Sequence, residues 1–337
     1  MTMRVSAGLP TGMEGLTYPI PFSDPENVIR IAVSAEKFGY DSVWGNDHMT
    51  TQHYVREEFP VPPRFWEPLM VYAYLASITT RLRFGTGILV TPMRRDIVAT
   101  AKQICTLDHF SGGRFELGVG IGAYREEFDA VQPDSPLQRG DIVEESITAF
   151  NKLFSERVSS FEGSFYRWRD VELYPKPLQK RLPILVGGNN PNNIRRAVEQ
   201  ADGWLPAGLH VSQVRKGVAT LKEHAERVGR DWREVEVAPQ WIVRIESQRP
   251  KAIDAFESSQ MYKHLVSLRK STLKDQGDIK MEDSNLVGTP AEIIDKANAL
   301  REAGVTHLLG LYFAANSVDD LVDQMQRFSE DVMPHLG

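Results

Sequence analysis

Short apolar runs alternate with helical patterns from one end of this 337-residue chain to the other, and that alternation limits its fold more than any other feature. Eight runs read as strands. They are "RVSAGL" (4–9), "SVWGN" (42–46), "RLRFGTGILV" (81–90), "RFELGVGI" (114–121), "PILVGG" (183–188), "GWLPA" (203–207), "VEVAPQWIVRI" (235–245) and "HLLGLYF" (307–313). The helical stretches between them carry start and stop signals. Thr289-Pro290 with Glu292 reads as a capping box that Gly304 ends, and Asp24-Pro25 and Gly39 frame the first helix in the same way. Strands that alternate with helices form a parallel sheet wound by right-handed crossovers. Eight such units in a chain of this length predict a (β/α)₈ barrel, and no linker divides residues 1–337 into more than one domain.

Composition narrows the function classes. The chain is 42% hydrophobic and 25% charged with a net charge of −6, and no basic cluster interleaved with aromatics points to nucleic acid. No apolar run approaches the ~18 residues of a membrane span, and none near the start resembles a signal peptide, so a cytoplasmic location is expected. Cys105 is the single cysteine and reads as a buried small side chain; no metal-site spacing is present.

Three stretches interrupt the alternation, at 49–66, 155–181 and 246–288. Loops after strand C-termini build barrel active sites, so the first and third are candidate walls or lids. The third, lying between strands 7 and 8, reads equally as a polar surface helix with a loose tail.

The fourth strand carries Gly118, Gly120 and Gly122 two apart, and the third carries Gly85 and Gly87. The G-x-G-x-G spacing and the late position exclude a dinucleotide fingerprint. Alternate residues share one strand face, so two neighbouring strands are bared near the barrel mouth. Such a slot suits a flat ring; the alternative is tight packing inside the barrel. "GGNN" (Gly187, Gly188, Asn189, Asn190) opens the helix near Pro191, where a glycine turn at a helix N-terminus offers an anion site or is a plain β/α turn. Arg195 and Arg196 lie within reach of it.

Taken together, "GTGILVTPMRRDIVATAKQICTLDHFSGGRFELGVGIGAYREEF", "LPILVGGNNPNNIRRAVEQADGW" and "LVGTPAEIIDKANALREAGVTHL" resemble the luciferase-like flavin-dependent oxidoreductases across nearly the whole chain. The resemblance implies a dimeric barrel holding FMN or coenzyme F420 at its C-terminal mouth. It also implies a non-proline cis peptide at Gly87 and Ile88 behind the ring, and phosphate held by residues 187–190. "WGNDHM" sets Asn46, Asp47 and His48 at the end of strand 2, where His48 is suited to general acid–base work, with Asp47 beside it as a catalytic partner or, like Asn46, a cofactor contact. Gly120, Gly122 and Tyr124 complete the expected cofactor seat. His53, Tyr54, Arg56, Trp66 and Trp204 are candidate substrate contacts, for which loop packing is the commoner role.

Some positions depart from family patterns. Ala123 and Gln52 stand where the F420-dependent sugar-phosphate dehydrogenases carry glutamate and tryptophan, and Gly120 and Ile121 replace the cysteine and arginine of bacterial luciferase. The leading reading is a two-component monooxygenase that takes FMNH₂ from a separate reductase and oxygenates a small organic substrate. F420-dependent hydride transfer stands second, and a non-catalytic flavin-binding protein third.

Overall fold

The computed structural model describes residues 2–133, 138–268 and 279–337. Its strands begin with β1 (Arg4–Leu9), β2 (Ser42–Gly45), β3 (Arg83–Thr86), β4 (Leu89–Val90) and β5 (Phe115–Gly120). A surface hairpin of β6 (Ser159–Glu162) and β7 (Arg167–Val171) follows. The remainder are β8 (Ile184–Gly187), β9 (Gly203–Leu205), β10 (Glu236–Val237), β11 (Ile242–Ile245), β12 (Leu286–Gly288) and β13 (His307–Phe313). Apart from the hairpin, all join one parallel sheet in the order β10-β9-β8-β5-β3-β2-β1-β13-β11-β12, with β4 on β5.

Residues 236–245 close that sheet into a ring. On one side Ala238 N donates to Trp204 O (2.9 Å) and Gln240 N to Pro206 O (2.8 Å); on the other, Thr306 N donates to Val237 O (3.0 Å) and Tyr312 N to Trp241 O (3.0 Å). The expected eight-position barrel is therefore present. Its seventh strand splits into β10 and β11 around Pro239, which has no N–H to give a ladder. The third splits into β3 and β4 at Gly87–Ile88, whose peptide bond is cis, as the resemblance implied.

Local signals formed as written. Thr289 and Glu292 make a reciprocal capping box, and Asp24 accepts from Asn27 N at 2.9 Å. The hairpin inside 155–181 and the short helix His53–Glu58 had no counterpart in the sequence reading. Within 246–288 lie helices Arg249–Glu257 and Gln260–Leu268 and strand β12, which adds to β11; residues 269–278 of the expected lid fall outside the described residues. No helix among the described residues is long and apolar enough to cross a membrane.

The barrel interior changes character along its axis. At the N-terminal ends of the strands Arg4 pairs with Asp41, Glu116 (2.7 Å) and Glu236 (3.0 Å), Arg83 pairs with Glu116 (2.6 Å), and buried His307 lies 3.0 Å from Glu236. Above them Trp44, Leu185, Leu205, Ala238 and Leu309 form an apolar layer. Gly85 and Gly118 serve this layer. A methyl group at Gly85 would overlap the Trp44 indole, and one at Gly118 would overlap the Thr86 carbonyl oxygen. At these two positions the bare strand faces answer to packing rather than to a ligand.

Candidate active site

A cavity of about 780 Å³ opens at the C-terminal ends of the strands. Asn46, Asp47, His48, Gly87, Ile88, Gly120, Gly122, Tyr124, Gly187, Gly188, Asn189 and Asn190 all line it. Its floor is the Ile88 side chain, seated on two glycines of neighbouring strands. A methyl at Gly120 would stand 3.0 Å from Ile88 Cδ1, and one at Gly187 would stand 2.5 Å from Ile88 Cγ2. The glycines thus clear space for Ile88, and half-buried Ile88 presents the surface that a ring would meet. At Gly120 and Gly187 the bared strand faces are taken up by Ile88. Beside the floor, Gln240 Nε2 is buried without a hydrogen-bond partner, 2.9 Å from where a methyl at Gly87 would sit.

His48 is fixed from behind. Its Nδ1 lies 3.0 Å from Glu127 Oε2, and the other Glu127 oxygen accepts from Met49 N, so one buried carboxylate holds both the imidazole and the backbone that follows it. With Nδ1 engaged, Nε2 is the nitrogen left to the cavity. Asp47 does not touch this pair. It is tied to Arg94 (2.9 Å) and to Val90 N (3.0 Å), and Arg94 also holds Glu67 (3.0 Å). Burial raises the Asp47 carboxyl above its ordinary range, opposed by Arg94. Asn46 Oδ1 accepts from Tyr312 OH at 2.6 Å.

A second polar chain crosses the mouth. Tyr54 OH lies 3.4 Å from Tyr124 OH and 3.2 Å from Nδ1 of His264, on helix Gln260–Leu268. Burial raises both phenols, and it lowers the imidazolium pKa of His264, with His48 adding to the effect. Tyr54 therefore stands one layer behind the lining.

On the opposite side, the turn after β8 enters helix Pro191–Gln200. The Asn189 amide exchanges two 3.0 Å hydrogen bonds with the Ala207 backbone, and Asn190 caps the helix through Asn192 N (2.9 Å). Arg139 joins the lining beside this turn. Its Nη1 donates to Gly122 O at 3.2 Å, and among the described residues no carboxylate stands at ion-pair distance from it. Arg195 and Arg196 are instead paired with Glu144, at 2.6 and 3.0 Å.

The other candidate contacts lie outside the lining. His53 pairs with Glu126 (3.1 Å), Arg56 donates to Thr50 Oγ1 (3.1 Å), and Trp66 Nε1 donates to Ser23 O (2.7 Å). Trp204 is buried beneath the turn with Nε1 on Gly188 O (3.0 Å). Sequence reasoning missed Glu127, Arg94, Arg139, Gln240, His264 and Tyr312. The one local hint was the acid pair in "YREEF", just after the glycine strand.

The model of the luciferase-like monooxygenases matches residues 3–307. The chain belongs to that family. Family members near it include an uncharacterized protein of Mycobacterium tuberculosis, 30% identical over 64% of this chain and 76% of the relative. An F420-dependent glucose-6-phosphate dehydrogenase of Kineococcus radiotolerans is 26% identical over 93% of both chains. Among solved structures, an F420-dependent secondary alcohol dehydrogenase with an F420–acetone adduct superposes with a TM-score of 0.80 at 20% identity, covering all of both chains. The oxygenating component of 3,6-diketocamphane monooxygenase from Pseudomonas putida, in complex with FMN, reaches 0.75 at 19% identity, covering 99% of this chain and 98% of the other. Family membership makes this chain a luciferase-like oxidoreductase, and its relatives work with F420 or FMN.

Proposed function

We propose that this chain moves hydride between coenzyme F420 and a small organic alcohol or its carbonyl counterpart. The observation that carries the reading is the His48–Glu127 pair at the cavity wall. Oxidising an alcohol requires a base for the hydroxyl proton, and reducing a carbonyl requires an acid at the same place. His48 Nε2 takes or returns that proton. Glu127 keeps the other nitrogen occupied and steadies the imidazolium when it forms. Asp47, held on Arg94 and the Val90 amide, fixes the edge of the floor and does not share in this transfer.

When bound, the deazaflavin supplies a hydride donor or acceptor that does not activate O₂. The residues present fit such a group. Ile88 gives a flat apolar floor between Gly120 and Gly187, Gln240 Nε2 offers an unpaired donor beside it, and Asn46, Gly87, Gly122 and Tyr124 flank the seat. Arg139 and the turn of Gly187, Gly188, Asn189 and Asn190 suit its phosphate. Helix Gln260–Leu268, from the 246–288 insertion, lines the cavity with Met261, His264, Leu265 and Leu268, and its apolar side chains limit how much water can reach the reacting atoms.

Two curated relatives that match 93% of this chain, and whose names carry F420, support this choice of coenzyme. On that support the F420 reading is put ahead of the FMNH₂ monooxygenase, which stands first from sequence alone. That oxygenase remains the second reading, because the apolar wall of the cavity also suits a reduced flavin that must be shielded from water. Anaerobic titration of the apoprotein with F420, FMN and FMNH₂ separates the two. Tight F420 binding, with bleaching of the oxidised coenzyme when an alcohol is added, is the expected result. Preference for FMNH₂ replaces hydride transfer with oxygenation, and binding of no coenzyme rejects both.

A further inference from the structure

The cavity has two unlike ends. Above β5, β8 and β9 it is bounded by Arg139 and the turn after β8; above β11, β13 and β1 it is bounded by Met13, Leu16, Ile242, Met261, Leu265 and Leu268. The two sets lie across the mouth from one another, because β11, β13 and β1 run consecutively round the ring and β5, β8 and β9 run consecutively elsewhere. Among the described lining residues Arg139 is the sole lysine or arginine, and it belongs to the polar end. Gly12 ties the apolar end to the acid–base group: a methyl there would stand 2.9 Å from His48 Cδ2.

His264, on the same helix as Met261 and Leu265, and Asn285, whose Oδ1 accepts from Ile242 N at 3.0 Å, also reach this end, each with a partner; Thr17 has none. Thr17 lines the cavity at 4% exposure, and its Oγ1 has no hydrogen-bond partner. A buried hydroxyl left unpaired is destabilising, and one that faces a cavity is free to pair with a ligand atom there.

We propose that the end lined by Met13, Leu16, Ile242, Met261, Leu265 and Leu268 binds the body of a neutral, largely apolar substrate, with Thr17 Oγ1 hydrogen-bonding its oxygen function. This names the substrate class of the hydride-transfer site and rests on that reading for the chemistry at His48. Sugar phosphates are the wrong class for such a wall: a dianion needs cations, and an apolar body gains from each methylene buried.

The test uses the 337-residue chain without coenzyme, so its outcome is independent of the F420 titration. Calorimetry measures n-alkanols from butanol to decanol against glucose 6-phosphate. Affinity is expected to rise about three- to fourfold per added methylene, with the sugar phosphate binding far more weakly than decanol. Thr17→Val, which keeps shape and removes the hydroxyl, is expected to weaken every alkanol roughly three- to tenfold while leaving the chain-length slope intact. Leu265→Lys is expected to flatten the slope. A slope near zero in the parent protein, or tighter binding of glucose 6-phosphate than of decanol, overturns the proposal. Unchanged alkanol affinity in Thr17→Val removes Thr17 from it.

Discussion

At the N-terminal end of the barrel, charged groups face one another. Arg4 and Arg83 meet Asp41, Glu116 and Glu236, and His307 closes the cluster. At the C-terminal mouth the polar groups face a cavity, and Gln240 Nε2 and Thr17 Oγ1 are left without partners there. The two ends share the same strands, so the difference reflects which end of each strand is asked to hold the ring together and which is asked to hold something else. Shape depends on the first and chemistry on the second.

On that division, removing the acid–base group damages only chemistry. His48→Gln is expected to lower kcat/KM roughly 10²- to 10⁴-fold while shifting the thermal midpoint by no more than a few degrees, read by steady-state kinetics beside calorimetry. A collapse of stability in this variant breaks the comparison outright.

The converse change is at the bottom. Glu236→Gln leaves Arg4 and His307 without their shared carboxylate and is expected to cost on the order of 3 kcal/mol in denaturant unfolding, with coenzyme affinity unchanged. The acid limb of stability is a second readout. Burial alone would raise the Glu236 pKa, but His307 and then Arg4 hold it down to about 2. A depressed carboxyl contributes stability above its unfolded pKa of about 4.3, and that contribution is lost as pH falls through about 2. The parent should therefore lose stability across that window more steeply than the variant.

Smaller effects sharpen the division within the mouth. Glu127→Gln is expected to reduce kcat roughly ten- to a hundredfold and to scramble the ring-nitrogen signals of His48 in ¹⁵N NMR, because the group that selects its tautomer is gone. A kinetic loss with unchanged ring signals would make Glu127 a backbone anchor only. Arg139→Met is expected to weaken F420 binding about tenfold and to reduce its dependence on salt, with turnover at saturation retained.

What the sequence made legible follows the same line. Periodicity exposed the eight strand positions, and the Thr289–Glu292 box and Asp24 cap are local by construction. His48 could be placed because a strand end is visible in one dimension. Its partner could not: Glu127 lies 79 residues away on the helix Arg125–Val131, and Arg94 reaches Asp47 across 47. The glycines were recognised as a bared face, but Trp44 and Ile88, which fill it, became apparent only once strands 2 to 5 stood side by side. The split seventh strand is another such case, since ring closure is set by pairing on both flanks and not by the run of residues itself.

Residues 88, 120 and 187 draw on a single volume although nearly a hundred positions separate the first from the last. Any bulk added at either glycine must be given up at position 88, so the three are best altered as a set, and Gly120→Ala is milder alongside Ile88→Val than alone. The same dependence makes the depth of the cavity adjustable from one position. Trimming residue 88 lowers the floor while every strand stays where it is, and a redesign for a thicker ring would begin there.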